Sequence, residues 1–200
     1  MATLRGEIKD KNERPLHDCE IALLDEKFRE LCLVKSDERG RFQIEAENRI
    51  YPYFYAVKNY GVDFLEFWGN NVDLTADFKM TVRIGKIEIY GMNCFQIKCP
   101  LPTLSVYFRP MSLARHLCKE KDIAPELEKE NIRVTINGAA AEVLVINRVK
   151  EYAGKDGFLS GYLLQADTSK ISLSEKNVLF LQVYDKESDD IGEAMSFFSV

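Results

Sequence analysis

Hydrophobic and polar residues alternate through the first 57 positions in short runs broken by polar turns. The run L-R-G-E-I-K-D (Leu4–Asp10) leads to a polar hairpin loop that ends at Pro15. C-E-I-A-L-L-D (Cys19–Asp25) and L-C-L-V-K-S (Leu31–Ser36) follow. Then come the charged turn D-E-R-G (Asp37–Gly40), R-F-Q-I (Arg41–Ile44) and I-Y-P-Y-F-Y-A-V (Ile50–Val57). A side-chain period of two belongs to a strand with one buried face, and the denser apolar runs fit strands at the centre of a sandwich. Gly40 supplies the positive φ that a tight turn requires. Regular turn residues with no helical period between them predict a sandwich or barrel rather than βαβ units.

The alternation continues through Phe78–Tyr90, with Gly85 in its middle. A domain junction is expected there, giving one β-sandwich over 1–84 and a second over 85–200, joined with too little linker to swing freely. Second-half strands are expected at Cys94–Lys98, Leu104–Arg109, Ile132–Ile136, Glu142–Ile146, Leu159–Gln165, Val178–Tyr184 and Ala194–Phe198. Asn137-Gly138 is a type I′ hairpin signal. Met111–Glu130 has helical character, interrupted at Pro125. Asn59-Tyr60-Gly61 and Gly69-Asn70-Asn71 read as turns.

Composition narrows the partners. The chain has 200 residues, 46% hydrophobic and 30% charged, which is enough for a proper core. The net charge is −5, and Lys and Arg are interspersed with Asp and Glu. That disfavours a nucleic acid backbone or an anionic membrane, which need clustered cations. No apolar run approaches the roughly 20 residues of a membrane span. The start M-A-T-L-R-G-E lacks a signal-peptide h-region, so a cytoplasmic location is expected. Five cysteines, an odd number, argue for free thiols rather than a disulfide framework.

Residues Leu4–Tyr55 resemble the carboxypeptidase regulatory-like domain, a transthyretin-like (prealbumin-like) β-sandwich. The resemblance rests on G-x-I at Gly6–Ile8, Asp10, Pro15-Leu16, I-A-L-L-D at Ile21–Asp25 and S-D-E-R-G-R-F-Q-I at Ser36–Ile44. It implies an appendage with a structural or binding role and transfers no catalytic residue. The second half resembles, more loosely, an immunoglobulin-like sandwich, and the pair resembles small two-domain bacterial proteins. The expected fold class is therefore all-β: a transthyretin-like sandwich followed by an immunoglobulin-like one.

Several constellations could carry chemistry. Cys94-x4-Cys99, His116-x-Cys118 and His17-x-Cys19 offer zinc donors, but residues five apart in a strand point to opposite faces. The hairpin Val183–Gly192 resembles a C2-domain loop, with Asp185, Glu187, Asp189 and Asp190 as oxygen donors. Calcium needs about 6–8 oxygens, and no second acidic loop is evident. No hydrolase or metalloprotease motif surrounds either histidine. Arg109 ends an apolar strand, where it would form an ion pair with Asp122 or Glu126 or hold a carboxylate ligand. The best site candidate is the aromatic run Tyr51–Trp68, in which Tyr51, Tyr53 and Tyr55 share one face and Phe54 lies on the other. Trp68 would be its anchor, with Tyr60, Asp63, Glu66, Asn70 and Asn71 as polar companions.

The expectation is a non-catalytic binding or scaffold module with no cofactor, recognising a carbohydrate or protein partner through these aromatics. Self-association through a sheet edge is the structural alternative. An enzyme or metal-binding site between the domains, using His116, Cys118 and Arg109, is the chemical one.

Overall fold

The computed structural model describes residues 1–97 and 100–200, and among these nearly all regular structure is strand, as the alternation predicts. The first half forms β1 (Ala2–Lys9), β2 (Glu20–Leu24), β3 (Glu30–Lys35), β4 (Arg41–Ala46), β5 (Ile50–Val57), β6 (Phe67–Asp73) and β7 (Phe78–Arg83). The second half forms β8 (Ile87–Phe95), β9 (Thr103–Ser112), α1 (Leu113–Leu117), β10 (Ile132–Ile136), β11 (Ala139–Ala141), β12 (Val143–Tyr152), β13 (Phe158–Asp167), β14 (Asn177–Asp185) and β15 (Asp190–Phe198). Lys98 and Cys99, which end the expected strand at 94–98 and complete the Cys94/Cys99 pair, lie outside the described residues.

Three of the first-half turns, one of them closing the β2–β3 hairpin, are built by one device. Asp10, Asp25 and Asp37 each begin a D-x-x-x-R segment, and each Oδ1 accepts the backbone N–H groups two and four residues on, at 2.8–2.9 Å. The residue before each Arg takes positive φ: Glu13 (63°), Phe28 (58°) and Gly40 (72°). The aspartate satisfies donors that the tight turn would otherwise leave unpaired. The Asn137-Gly138 turn also forms as expected, with φ of 53° and 81°.

The strands make a three-stranded sheet (β4-β1-β7), a four-stranded sheet (β12-β13-β9-β8) and an eight-stranded sheet (β11-β10-β14-β15-β6-β5-β2-β3). The eight-stranded sheet draws on both halves because β15 lies parallel to β6, with Ala194 beside Trp68. Adjacent residues of β15 serve different cores. Met195 belongs to a cluster with Leu4, Phe54 and Val82, whereas Ala194 belongs to one with Ile89, Phe108 and Leu181. Successive strand residues point to opposite faces. The two small sheets therefore cover opposite faces of the large one, at opposite ends. Burying each large side chain of these cores contributes about 1.5–3 kcal/mol. Past each small sheet the large sheet continues uncovered, leaving a step beside β7 on one face and beside β8 on the other.

Two expectations are corrected. Gly69-Asn70-Asn71 is not a turn but the middle of β6, with Gly69 and Asn70 paired on both sides. Gly69 packs closely, since a Cβ there would sit 3.2 Å from both Met195 and Phe54 and would press on each by a few tenths of an ångström. Tyr51 does not share a face with Tyr53 and Tyr55, and it lies in the first core with Phe54. Asn71 adopts φ 53°, and it and Pro52, which has no N–H to give, drop out of the β5–β6 ladder together. Both strands therefore switch face at the same point without a change of register.

Candidate binding groove

The step beside β8 is a groove of about 550 Å³. Its floor is the uncovered face of β5 and β6, carrying Tyr53, Trp68 and Asn70. Its wall is the edge strand β8 with Glu88, Tyr90 and Asn93, joined by Arg109 of β9. Phe28 closes one side. The Asp25 turn holds it in the left-handed region, 58% exposed, with its ring stacked on Tyr53 at 4.4 Å and edge-on to Trp68 at 6.2 Å. Asp25 also pairs with Arg29 at 2.6 Å, and the donated hydrogen bonds, the Arg29 backbone N–H foremost, hold its carboxyl down at about 2.

Trp68 is half-buried and fixed from behind. Its indole N–H donates to Glu88 Oε1 at 2.9 Å, while the Tyr60 hydroxyl donates to Glu88 Oε2 at 3.2 Å. Burial pushes the Glu88 carboxyl up, opposed by these bonds and by the Glu66 backbone N–H. The Glu66 side chain accepts no such bonds. Burial, with the Glu88 charge beside it, raises its carboxyl to about 7. The bonds to Glu88 favour its charged form against burial, whereas nothing opposes the rise at Glu66, which keeps its proton near neutrality.

Across the groove the Arg109 guanidinium stacks over Tyr90, 4.5 Å from the ring centroid. It also lies against Gly91 (φ 59°), where a Cβ would come within 2.7 Å of Nη2. Gly91 sits in a bulge of the β8–β9 ladder, between Tyr90 and Asn93, that makes room for this flat approach. Glu151 lies 3.5 Å from Arg109 Nη1, and the buried Arg109 Nε has no hydrogen-bond acceptor among the described residues. Asp122 and Glu126, expected to pair with Arg109, instead hold Arg148, which comes from β12 and also reaches Ser160. Those two carboxylates follow Pro110 and α1 to the far end of the four-stranded sheet, a path that local sequence does not reveal.

Of the residues expected to form a site, Trp68, Asn70, Asn71 and Arg109 line the groove. Asn70 Nδ2 donates to the Met92 carbonyl at 3.0 Å, tying floor to wall. Tyr60 and Glu66 stand behind it, acting on Glu88. Asp63 lies apart, accepting a bond from Asn59 at 2.8 Å within their loop. Phe28, Glu88, Tyr90 and Asn93 escape sequence reading, although the repeated D-x-x-x-R turn with a bulky residue at its left-handed position marks Phe28.

The other constellations fall elsewhere. His116 and Cys118 are exposed at α1, and neither lines the groove. His17 is exposed beside Asp18, and the half-buried Cys94 thiol is raised by burial to about 11. Among the described residues no three His, Cys, Asp or Glu side chains converge as metal ligands. In the acidic hairpin, Asp185 accepts the Glu187 and Ser188 N–H groups, Asp190 those of Lys86 and Ile191, and Asp189 the Tyr184 hydroxyl. Among the described residues no helix is long and apolar enough to cross a membrane.

No family model matches the chain, and no curated protein matches it. Among solved structures it is similar over its full length to BcpA, the major pilin subunit of Bacillus cereus, at 15% identity and a TM-score of 0.30, covering 68% of that chain. The full-length major pilin SpaD from Corynebacterium diphtheriae gives 9% identity and a TM-score of 0.26, with 98% of this chain and 64% of that one covered. At this level of similarity no role passes from those proteins to this chain.

Proposed function

We propose that the chain is a non-catalytic binding module whose β8 groove takes a ring-bearing ligand, a glycan in the first instance, stacked on Trp68. In this reading residues 1–84 form a transthyretin-like unit and 85–200 an immunoglobulin-like one, and the groove lies where they meet. The observation that carries it is Phe28. The equivalent positions of the sister turns hold Glu13 and Gly40, and a bulky residue at positive φ costs on the order of 1 kcal/mol. That strain holds a large exposed aromatic over Tyr53 and Trp68, which folding alone does not require. Stacking faces flanked by the amides of Asn71 and Asn93 and by Arg109 suit the mixed apolar and hydroxyl-rich surface of a sugar ring.

Trp68 is the only tryptophan, so its fluorescence reports on the groove directly. Titration with a panel of oligosaccharides should shift the emission saturably, and Trp68→Ala should abolish binding as followed by calorimetry. A panel without any saturable change would overturn the glycan reading. A Trp68→Ala protein that loses the several kcal/mol of a core truncation would place the ring in the core instead.

A further inference from the structure

The step on the opposite face, beside β7, is a larger groove of about 730 Å³. Among the described residues β7 pairs only with β1, in parallel, so its other side is an open edge. The direction of its backbone groups is fixed by two bonds. The Ile84 N–H, just past the strand, donates to Lys9 O towards β1, whereas the Arg83 N–H donates to Glu193 Oε2 at 3.0 Å, away from β1. Backbone groups alternate along a strand. Lys79 and Thr81 therefore aim both N–H and C=O into the groove, where nothing among the described residues pairs with them.

Glu193 already imitates a neighbouring strand at the end of this edge. It is buried on β15, accepts the Arg83 N–H, and is held by Gln182 Nε2 at 2.6 Å. The groove floor is the uncovered face of β10 and β14, with Arg133, Phe180 and Gln182. A further strand on β7 would extend the three-stranded sheet over this floor. Charge selects the occupant. Arg83 is neutralised by Glu13 and Glu193, and Lys11 by Asp189 and Asp190. Lys79 and Arg133, on opposite sides of the groove, have no carboxylate partner among the described residues, against a single free carboxylate, Glu130.

We propose that the open edge of β7 docks an extended, acidic segment of a partner protein, which adds to β4-β1-β7 as a fourth strand. Only a polypeptide in extended form supplies donors and acceptors at the strand repeat that Lys79 and Thr81 present. The inference does not depend on the β8 groove.

The test is amide hydrogen exchange on the full chain, with the acetylated, amidated peptide Thr-Val-Glu-Val-Glu-Val-Thr as probe. In free, dilute protein the Lys79 and Thr81 amides should exchange fast, and saturating peptide should protect both. A peptide N-methylated at the amides facing β7 keeps every side chain and should lose at least about tenfold in affinity. Thr81→Pro, which removes an outward N–H at an edge position where proline is tolerated, should do the same with at most a small change in Tm. Lys79→Glu should weaken this peptide and favour its Val-Lys counterpart. Protection of both amides in dilute free protein would show the edge already paired and overturn the proposal. Protection that grows with protein concentration alone would assign the edge to a second copy and overturn the partner. Equal binding by the N-methylated peptide, or no protection at millimolar peptide, would also overturn it.

Discussion

The Trp68 indole N–H and the Glu88 carboxylate meet at 2.9 Å, and through that bond a strand of the first half holds the edge strand of the four-stranded sheet. The same carboxylate takes the Tyr60 hydroxyl, so one buried group orders two side chains, one in the groove floor and one behind it. Removing it by Glu88→Ala leaves the half-buried Trp68 indole N–H without its acceptor, which costs about 1–3 kcal/mol, whereas the Tyr60 side chain, 51% exposed, can turn to water. Denaturant unfolding near neutral pH should show a loss of about 1–3 kcal/mol, and the Trp68 emission should move towards that of a less ordered indole. A loss within experimental error would mean that Trp68 finds water instead.

The Glu66–Glu88 pair makes stability depend on pH in a stated direction. The Glu66 carboxyl is raised to about 7, so between its ordinary value and 7 the folded chain holds more protons than the unfolded one. Stability must then fall as pH rises through that window. We expect the protein to be less stable near pH 8 than near pH 5 by about 1–2 kcal/mol, a figure discounted because the carboxyl is only partly buried. Glu66→Gln should flatten the curve, as followed by urea midpoints across the range. An unchanged slope in that variant would remove Glu66 as the cause.

Phe28 separates binding from folding. Phe28→Gly relieves the left-handed strain but gives up the stack on Tyr53, and the two effects are each about 1 kcal/mol. Thermal unfolding should therefore differ little from that of the parent. Ligand affinity in the β8 groove should fall by about tenfold or more, the worth of a lost aromatic contact. A large drop in Tm with affinity retained would make Phe28 a structural plug.

Gly85 passes so close to the Ile191 carbonyl and Asp190 that no Cβ fits. Gly85→Ala should push the chain away from β15 locally and cost about 1–3 kcal/mol, as overpacking does. Calorimetry tests this, and a neutral substitution would show that this contact relaxes freely.

β3 is the free end of the eight-stranded sheet and exposes Leu31 and Leu33. Such an edge invites pairing between copies. Sedimentation should detect reversible association at high concentration, reduced by Leu33→Lys. A monomer at every concentration would remove sheet-edge self-association.

Much of the fold was legible in the residues because strand alternation and turn chemistry are local. Leu4, Gly6 and Ile8 face one way along β1 for the same reason that Phe42 and Ile44 do along β4. Asn137-Gly138 specifies its hairpin through the φ values it tolerates, and the Asp10, Asp25 and Asp37 segments specify their turns through one repeated hydrogen-bond pattern. Trp68, Asn70, Asn71 and Arg109 were legible as candidates because aromatic and amide side chains stood close to one another in the chain or at a strand end, and all four line the β8 groove.

The rest was decided by contacts between residues far apart in sequence. Nothing in F-W-G-N-N marks it as a central strand, since its partner β15 begins more than 100 residues later and no local pattern encodes that pairing. That one parallel contact makes the eight-stranded sheet continuous, sets the two small sheets on opposite faces and opens both steps. Glu88, flanked by Ile87 and Ile89, reads in sequence as an ordinary outward charge. Only the arrival of Trp68 and Tyr60 from the first half covers it, and burial then converts a solvated carboxylate into the buried acceptor that orders the wall and floor of the groove.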